Sequence, residues 1–323
     1  NFLKLDKIRS AENLFGKQEY EEAQKAFEKL AASTDDPVQK SRFEARAAIA
    51  LGMKEGEYDN AIAKAKAIDH RPYSVYAQMQ LMFRHEKYEA IVSAFKDEDI
   101  SAWPDYQVPA INYQRWITSP QLIKVYAYRA RGTAFYKTGN GEAADQDLRR
   151  AADLCKGKRN GDDGVKLHIL RMLSRNASER LKDDEKVFEA QMRIVREVNQ
   201  IRGHWRYMRV VVSAARALRE KGQFAEALDV LDQARLKNRK GTGSWFGEGH
   251  LAYGRVYAAE AQAQRAEAEK LKEEGKEKQA AALLKKADEN KKKAHSLFKT
   301  LADESDAPQR YREAAEKELK GLK

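Results

Sequence analysis

Two stretches of the chain carry arginine, lysine and aromatic side chains without any acidic residue. No Asp or Glu occurs from Tyr106 to Gly141, nor from Val198 to Arg219. Guanidinium groups bind carboxylates through paired hydrogen bonds and stack on flat rings, which makes such stretches candidates for ligand binding. In the first stretch, spacings of three and four residues place one set of side chains on a single helical face. This set comprises Tyr126, Arg129, Thr133, Tyr136 and Lys137.

The second stretch predicts a comparable stripe on a later helix. Arg209, Arg216 and Arg219 have the spacing of one helical face, and Val212 completes it. Arg175 precedes this stripe and Arg255 continues it in the next helix pair. An alternative interpretation is that these arginines pair with Asp and Glu of neighbouring helices. In that case they stabilise the fold and bind no ligand.

Histidine and cysteine give no comparable pattern. None of the six histidines has a partner at H-x-x-x-H spacing, and the single cysteine is Cys155, so no zinc site of the common kinds is predicted. Cys155 lies near the end of a predicted helix, where a buried structural thiol is expected. No nucleophile accompanies a base and an orienting group. The sequence therefore predicts a non-enzymatic protein without a catalytic residue, metal or cofactor.

Composition favours long helices and acidic partners. The 323 residues include 42% hydrophobic and 34% charged residues but only six Pro and 18 Gly. The net charge of +11 favours acidic proteins, nucleic acid or anionic surfaces. No apolar run reaches the roughly 18 residues that a transmembrane helix needs. The chain begins at Asn1, and its compartment stays open between the cytoplasm and the bacterial periplasm.

A short motif recurs along the chain. A glycine-containing turn is often followed by an aromatic residue, then a small residue, then a large apolar residue four positions later. The copies begin at the turns around Gly16, Gly56, Gly139 and Gly222, and weaker copies occur near Tyr88 and Ala190. Gly132, Ala215 and Gly254 mark the first helices of their pairs. Small residues allow two helices to approach closely, and large ones fill the groove between them.

This pattern resembles the tetratricopeptide-repeat (TPR) family, whose repeats are about 34 residues long. The first block is also similar to repeats of periplasmic proteins of outer-membrane assembly and the Tol–Pal system. The resemblance implies an all-α, right-handed superhelical solenoid of antiparallel helix pairs. It also implies that one face of each first helix lines a concave groove. The two basic stripes would then line that groove.

Four segments are expected. Residues 1–96 and 120–246 hold TPR-like repeats, and residues 247–323 form a long helical hairpin with a capping helix. The first helix of this hairpin is expected to span roughly 25 residues and to pack through Ala259, Ala263 and Ala266. Residues 97–119 form a connection rich in Pro and aromatic residues. Within it, Trp103 and Trp116 either contact a partner or plug the junction between the two groups of repeats.

Three functions agree with these features. The leading hypothesis is a protein–protein interaction scaffold that binds an extended, acidic segment of a partner in the basic groove. The alternative is an RNA- or DNA-binding helical-repeat protein, because basic charge is interleaved with Tyr and Trp. The third is a regulatory or carbohydrate-handling domain that binds a small acidic ligand in a closed pocket beside Trp103 or Trp116.

Overall fold

The structure is a computed structural model that describes residues 2–96, 100–103, 120–155, 162–197, 205–233 and 244–322. All regular secondary structure in these ranges is helical, which confirms the all-α prediction. The chain divides into two compact units, the first being Asn1–Val187 and the second Phe188–Lys323. Most of the predicted 97–119 connection lies outside the described residues.

The first unit is built from short helices that pack mainly on their neighbours along the chain. These helices are α1 (Phe2–Gly16), α2 (Tyr20–Ala32), α3 (Pro37–Leu51), α4 (Tyr58–Lys66), α5 (Arg71–Arg84), α6 (Tyr88–Ala94), α7 (Pro120–Thr138), α8 (Gly141–Leu154) and α9 (Asp162–Asn176). A short π-helical turn, Ala177–Leu181, follows α9. In addition to contacts within pairs, α3 packs against α5 and α5 against α7. Odd-numbered helices of this unit therefore lie next to one another.

Helix starts follow the local sequence. The Asp36 side chain accepts a hydrogen bond from the backbone N–H of Gln39 (2.9 Å), and Pro37 occupies the first turn of α3. Asn140 caps α8 in the same way through the N–H of Ala143 (3.1 Å). Both are residue types that favour this position because they satisfy an otherwise unpaired backbone donor.

Small residues mark the close helix contacts, as the motif predicts. A Cβ atom on Gly132 of α7 would lie 2.9 Å from Leu148 Cγ of α8. One on Gly254 would lie 2.3 Å from an edge carbon of the Phe298 ring. Both distances are shorter than side chains tolerate, so these glycines permit the helices to approach as closely as they do.

The second unit contains the predicted long hairpin. Helix α10 (Asp184–Glu197) crosses the boundary between the units and is followed by α11 (Trp205–Glu220), α12 (Phe224–Gln233), α13 (Ser244–Glu273), α14 (Glu277–Asp303) and α15 (Gln309–Gly321). Gln264 accepts a hydrogen bond from Asn290 (3.2 Å), and Arg265 pairs with Asp288 (2.7 Å). As residue numbers rise along α13, their partners' numbers fall along α14, so the two helices are antiparallel.

The alanine face predicted for α13 is wrong. Ala263 and Ala266 are exposed, whereas Ala261 and Ala268 are buried. The reason is that Gly254 must face Phe298. Steps of seven residues from Gly254 lead to positions 261 and 268 and leave 263 and 266 on the outer side.

None of the described helices is both long and apolar enough to cross a lipid bilayer.

Cys155 is buried, as expected for a structural thiol.

A left-handed residue recurs in the turn between each odd-numbered helix and the next helix. The residues with positive φ are Gln18 (67°), Gly56 (77°), Glu86 (55°), Gly139 (94°), Lys182 (55°), Gly222 (74°) and Gly275 (76°). In the first turn this residue is Gln18, whereas Gly16 ends α1. A residue other than glycine destabilises the fold in this conformation, because its Cβ atom comes too close to the following carbonyl oxygen.

The turn geometry predicts opposite effects for two substitutions. Gly139→Ala should lower the free energy of unfolding by about 1 kcal/mol, because Gly139 has a left-handed φ and open space around it. Glu86→Gly should raise the free energy of unfolding by about 0.5 kcal/mol. The substitution relieves the strain of the left-handed conformation, and the greater flexibility of glycine in the unfolded chain offsets part of that gain. Urea denaturation measures both changes. Gly16→Ala is the control and should cost nothing; an equal cost at positions 16 and 139 would contradict the turn assignment.

Candidate anion-binding face

Two arginines predicted to bind a partner are paired within the fold. Arg175 Nε lies 2.8 Å from Glu179 Oε1, and Arg255 Nε lies 2.7 Å from Glu318 Oε1. Tyr136 is buried, and its hydroxyl donates a hydrogen bond to Glu179 as well. The pair of Arg255 and Glu318 joins α13 to α15, in line with the alternative interpretation of the sequence, and Tyr136 joins α7 to the π-helical turn. Arg175 and Glu179 are only four residues apart and both are well exposed, so their pair is local.

In the predicted stripe on α11, two of the arginines share one carboxylate. Arg216 Nε and Arg219 Nη2 lie 3.9 Å and 3.4 Å from the same oxygen of Glu220. Arg209 is exposed. Its positive charge opposes the effect of burial, which raises the pKa of Glu248. Arg216 is exposed as well, and Arg219 is partly exposed. That this stripe binds a partner stays a prediction.

The remaining predicted residues are divided between surface and core. Lys137 is exposed, and its Nζ lies 5.8 Å from the centre of the Tyr88 ring. Trp103 is buried, and its carbonyl accepts a hydrogen bond from Lys124 Nζ (3.2 Å). This burial favours a packing role for Trp103. Trp116 lies outside the described residues.

Tyr126 and Arg129 on α7 belong to a larger cluster in the first unit. The Arg129 guanidinium lies 4.7 Å from the centre of the Tyr126 ring. That ring lies 6.4 Å from the ring of Tyr76 on α5. We call the whole group the arginine–tyrosine cluster. It comprises Glu12 and Phe15 of α1, Arg42 and Arg46 of α3, Tyr73, Tyr76 and Arg84 of α5, and Tyr126 and Arg129 of α7.

Arg46 is the member of the cluster with a complete ion pair. Its Nε donates to Glu12 Oε1 (3.0 Å), and its Nη2 donates to Glu12 Oε2. Its guanidinium also lies 4.3 Å from the centre of the Phe15 ring. Burial alone would lower the pKa of Arg46, but the attraction of Glu12 outweighs it and raises that pKa. Arg46 and Glu12 thus join α1 to α3 as a satisfied pair.

Arg42 is more deeply buried than Arg46 and lacks such a pair. Only 4% of its surface is exposed, and its Nη1 donates a hydrogen bond to Gln39 Oε1 (3.1 Å). Burial lowers the pKa of Arg42, while the nearby Tyr73 and Glu12 partly oppose this shift. Because an arginine keeps its proton in proteins, Arg42 remains a buried cation.

Arg129 and Arg84 form the other end of the cluster. Burial lowers the pKa of Arg129, and the positive charge of Arg84 lowers it further, although Tyr126 and Tyr76 oppose both effects. Arg84 is exposed and lies 5.6 Å from the Phe15 ring, on which Arg46 also stacks. Neither arginine has a carboxylate within 4 Å in the described part of the chain.

The charges of the cluster do not balance. Among the described residues of the cluster, four guanidinium groups stand against one carboxylate, that of Glu12, which is paired with Arg46. Asp36 lies near Tyr73 but caps α3 through its side chain. Burial raises the pKa of Tyr73 to about 12, so its hydroxyl remains a hydrogen-bond donor at neutral pH. The cluster is therefore rich in donors and positive charge, an arrangement suited to an anion.

Sequence reasoning found Tyr126 and Arg129 but missed their partners on α3 and α5. A signal for α5 exists: no acidic residue occurs from His70 to His85, and Tyr73, Tyr76 and Arg84 share one helical face within that run. For α3 the signal is weak. Asp36 and Glu44 lie close in sequence to Arg42, and only the fold separates their side chains from it.

The sequence matches no protein-family model, and comparison with curated proteins also gives no match. The proposal for function therefore depends on the geometry of the cluster.

The Glu12–Arg46 pair yields a direct prediction for stability. Glu12→Gln should lower the free energy of unfolding by about 3 kcal/mol, because it leaves the buried Arg46 cation without its carboxylate. Glu21→Gln is the matched control, since Glu21 forms an exposed pair with Lys25 and should leave unfolding unchanged. Urea denaturation of both variants measures the difference. Equal effects at the two positions would refute the account of Arg46.

Proposed function

We propose that the chain is a non-enzymatic, TPR-like scaffold whose first unit binds an extended, acidic segment of a partner protein. The observation that carries this proposal is the presence of Arg42, Arg84 and Arg129 in one cluster without a carboxylate partner in the described residues. Arg42 is buried and Arg129 is half-buried, and leaving a buried charge unpaired costs several kcal/mol. An acidic segment laid along the cluster would remove that cost.

Three features support a TPR-like arrangement of helix pairs within each unit. The sequence motif recurs at the turns, a left-handed residue recurs in those turns, and odd-numbered helices of the first unit pack on one another. In a right-handed superhelical solenoid the first helices of successive pairs line the inner face. The cluster draws all its members from α1, α3, α5 and α7, the first helices of their pairs. The proposed groove would thus be lined by the same face of the first helix in each of four successive pairs.

The aromatic members suit a protein segment. Tyr73, Tyr76 and Tyr126 offer flat surfaces next to the guanidinium groups, so apolar and aromatic side chains of the partner can pack between its carboxylates. Nucleic acid would also find stacking rings and cations here. A carboxylate partner is favoured because guanidinium forks match carboxylates in paired geometry.

A fluorescein-labelled oligoglutamate peptide tests the proposal by fluorescence anisotropy. The double variant Arg84→Gln/Arg129→Gln should weaken its binding at least about tenfold, because two cations of the cluster are lost. The matched control is the triple variant Arg209→Gln/Arg216→Gln/Arg219→Gln, which removes cations from α11 in the second unit and should retain affinity.

Three results would contradict this assignment. Loss of affinity in the triple variant alone would move the binding face to α11. Failure of the wild-type chain to bind the peptide at low salt would remove the proposed function. A single-stranded oligonucleotide that binds much more tightly than the peptide, with steep loss on adding salt, would establish the nucleic-acid alternative.

A further inference from the structure

Two polar side chains next to the cluster are buried without a partner. Gln80 of α5 is 9% exposed and Thr133 of α7 is 6% exposed. In the described part of the chain, neither Gln80 Nε2 nor Thr133 Oγ1 makes a hydrogen bond. A buried polar atom left in this way destabilises the fold, and in native proteins it calls for an explanation such as a bound ligand.

Both residues lie on the faces that form the cluster. On α5, Gln80 falls between Tyr76 and Arg84 at spacings of four residues, so the three share one stripe. On α7, Thr133 lies one turn beyond Arg129 on the stripe that starts at Tyr126. The neighbouring rings of Tyr76 and Tyr126 hold the two stripes together.

Arg129 connects the two stripes around Gln80. Its guanidinium interacts with Tyr76 and with Arg84, which lie one turn before and one turn after Gln80. Gln80 lies between these two residues on the stripe of α5, and Arg84 is at the exposed end of that stripe. At this end of the cluster the adjoining stripes of α5 and α7 thus carry two cations, an amide donor and a hydroxyl group.

The chemistry of these groups selects among anions. A carboxylate offers two oxygens and one negative charge. A phosphate monoester carries about −1.5 to −2 charges at neutral pH and three strongly accepting oxygens. Two guanidinium groups and two further donors match the larger number of acceptors and the larger charge.

We propose that Arg84, Arg129, Gln80 and Thr133 form a subsite for a phosphate monoester on a phosphorylated residue of the partner segment. This inference rests on the proposed function, because the segment lies along the cluster and presents the modified side chain at this end. The remaining cluster residues, from Arg42 to Tyr126, contact the unmodified part of the segment. Phosphorylation of the partner segment would therefore increase its affinity for the scaffold.

Two labelled peptides test the subsite by fluorescence anisotropy: oligoglutamate with one central phosphoserine, and the same peptide with glutamate at that position. The wild-type chain should bind the phosphoserine peptide at least about tenfold more tightly, the equivalent of one additional charge-assisted hydrogen bond. Gln80→Leu and Thr133→Val should each reduce this ratio towards one. Thr300→Val, on the exposed surface of α14, is the matched control and should keep the wild-type ratio.

Stability provides a second measurement that guards against misfolding. Gln80→Leu and Thr133→Val remove unsatisfied buried groups, so neither variant should unfold more easily than the wild-type chain in urea. A marked loss of stability in both would mean that these groups are satisfied within the fold, which overturns the subsite.

The binding outcomes separate the subsite from the wider function. Equal affinity for the two peptides in the wild-type chain overturns the phosphate subsite and leaves the acidic-segment function in place. Absence of binding by both peptides removes both proposals. At equal ionic strength, inorganic phosphate should displace the phosphoserine peptide only in large molar excess. Displacement at a phosphate concentration equal to that of the peptide would show that free phosphate, and not a phosphorylated segment, is the occupant, and would overturn the proposal.

Discussion

An arginine inside a stack of helices keeps its charge, and the fold must find that charge a counterion or leave it unsatisfied. The first unit contains both outcomes. Arg131 is buried on α7 and forms two short hydrogen bonds, of 2.6 and 2.7 Å, with the equally buried Asp147 on α8. Arg46 has the same arrangement with Glu12. Arg42 and Arg129 are enclosed by the same helices without a carboxylate in the described residues, and this difference separates structural arginines from candidate ligand-binding ones.

The aromatic rings of the cluster reduce this imbalance without removing it. A cation over an aromatic ring gains about 0.5–2 kcal/mol, whereas the effective penalty for burying an unpaired ion is several kcal/mol. The rings of Phe15 and Tyr126 therefore orient the guanidinium groups and leave a net positive face. Because α3, α5 and α7 hold these side chains on rigid helices, an anion meets donors that are already in position.

The sequence predicts helical features well when they depend on local chemistry. Helical content follows from composition, the turns at Gly56, Gly139 and Gly222 follow from glycine, and the hairpin of α13 and α14 follows from uninterrupted helix-forming residues. It predicts less well which face of a uniform helix is buried. Alanine occurs on several faces of α13, and only the packing of Gly254 on Phe298 selects positions 261 and 268.

The same distinction applies to the site. Tyr126 and Arg129 stand in an acid-free stretch, so the sequence alone marks them. Arg42 has acidic residues, Asp36 and Glu44, close to it in the sequence. The fold separates their side chains from Arg42, so the sequence alone does not show that Arg42 lacks a carboxylate partner. Arg255 shows the opposite case, since the fold brings it to Glu318, a residue that is distant in the sequence. The partner of Arg175 is Glu179, one helical turn away, which the sequence alone could have indicated.

Differential scanning calorimetry in sodium sulfate and in sodium chloride of equal ionic strength tests most directly whether the cluster carries charge that lacks a counterion. If it does, sulfate should raise the Tm of the wild-type chain above its value in chloride, since a bound anion stabilises the folded state. The difference should become smaller when Arg42, Arg84 and Arg129 are all replaced by Gln, and what remains is the general stabilisation of proteins by sulfate. Equal Tm values of the wild-type chain in the two salts would contradict the account.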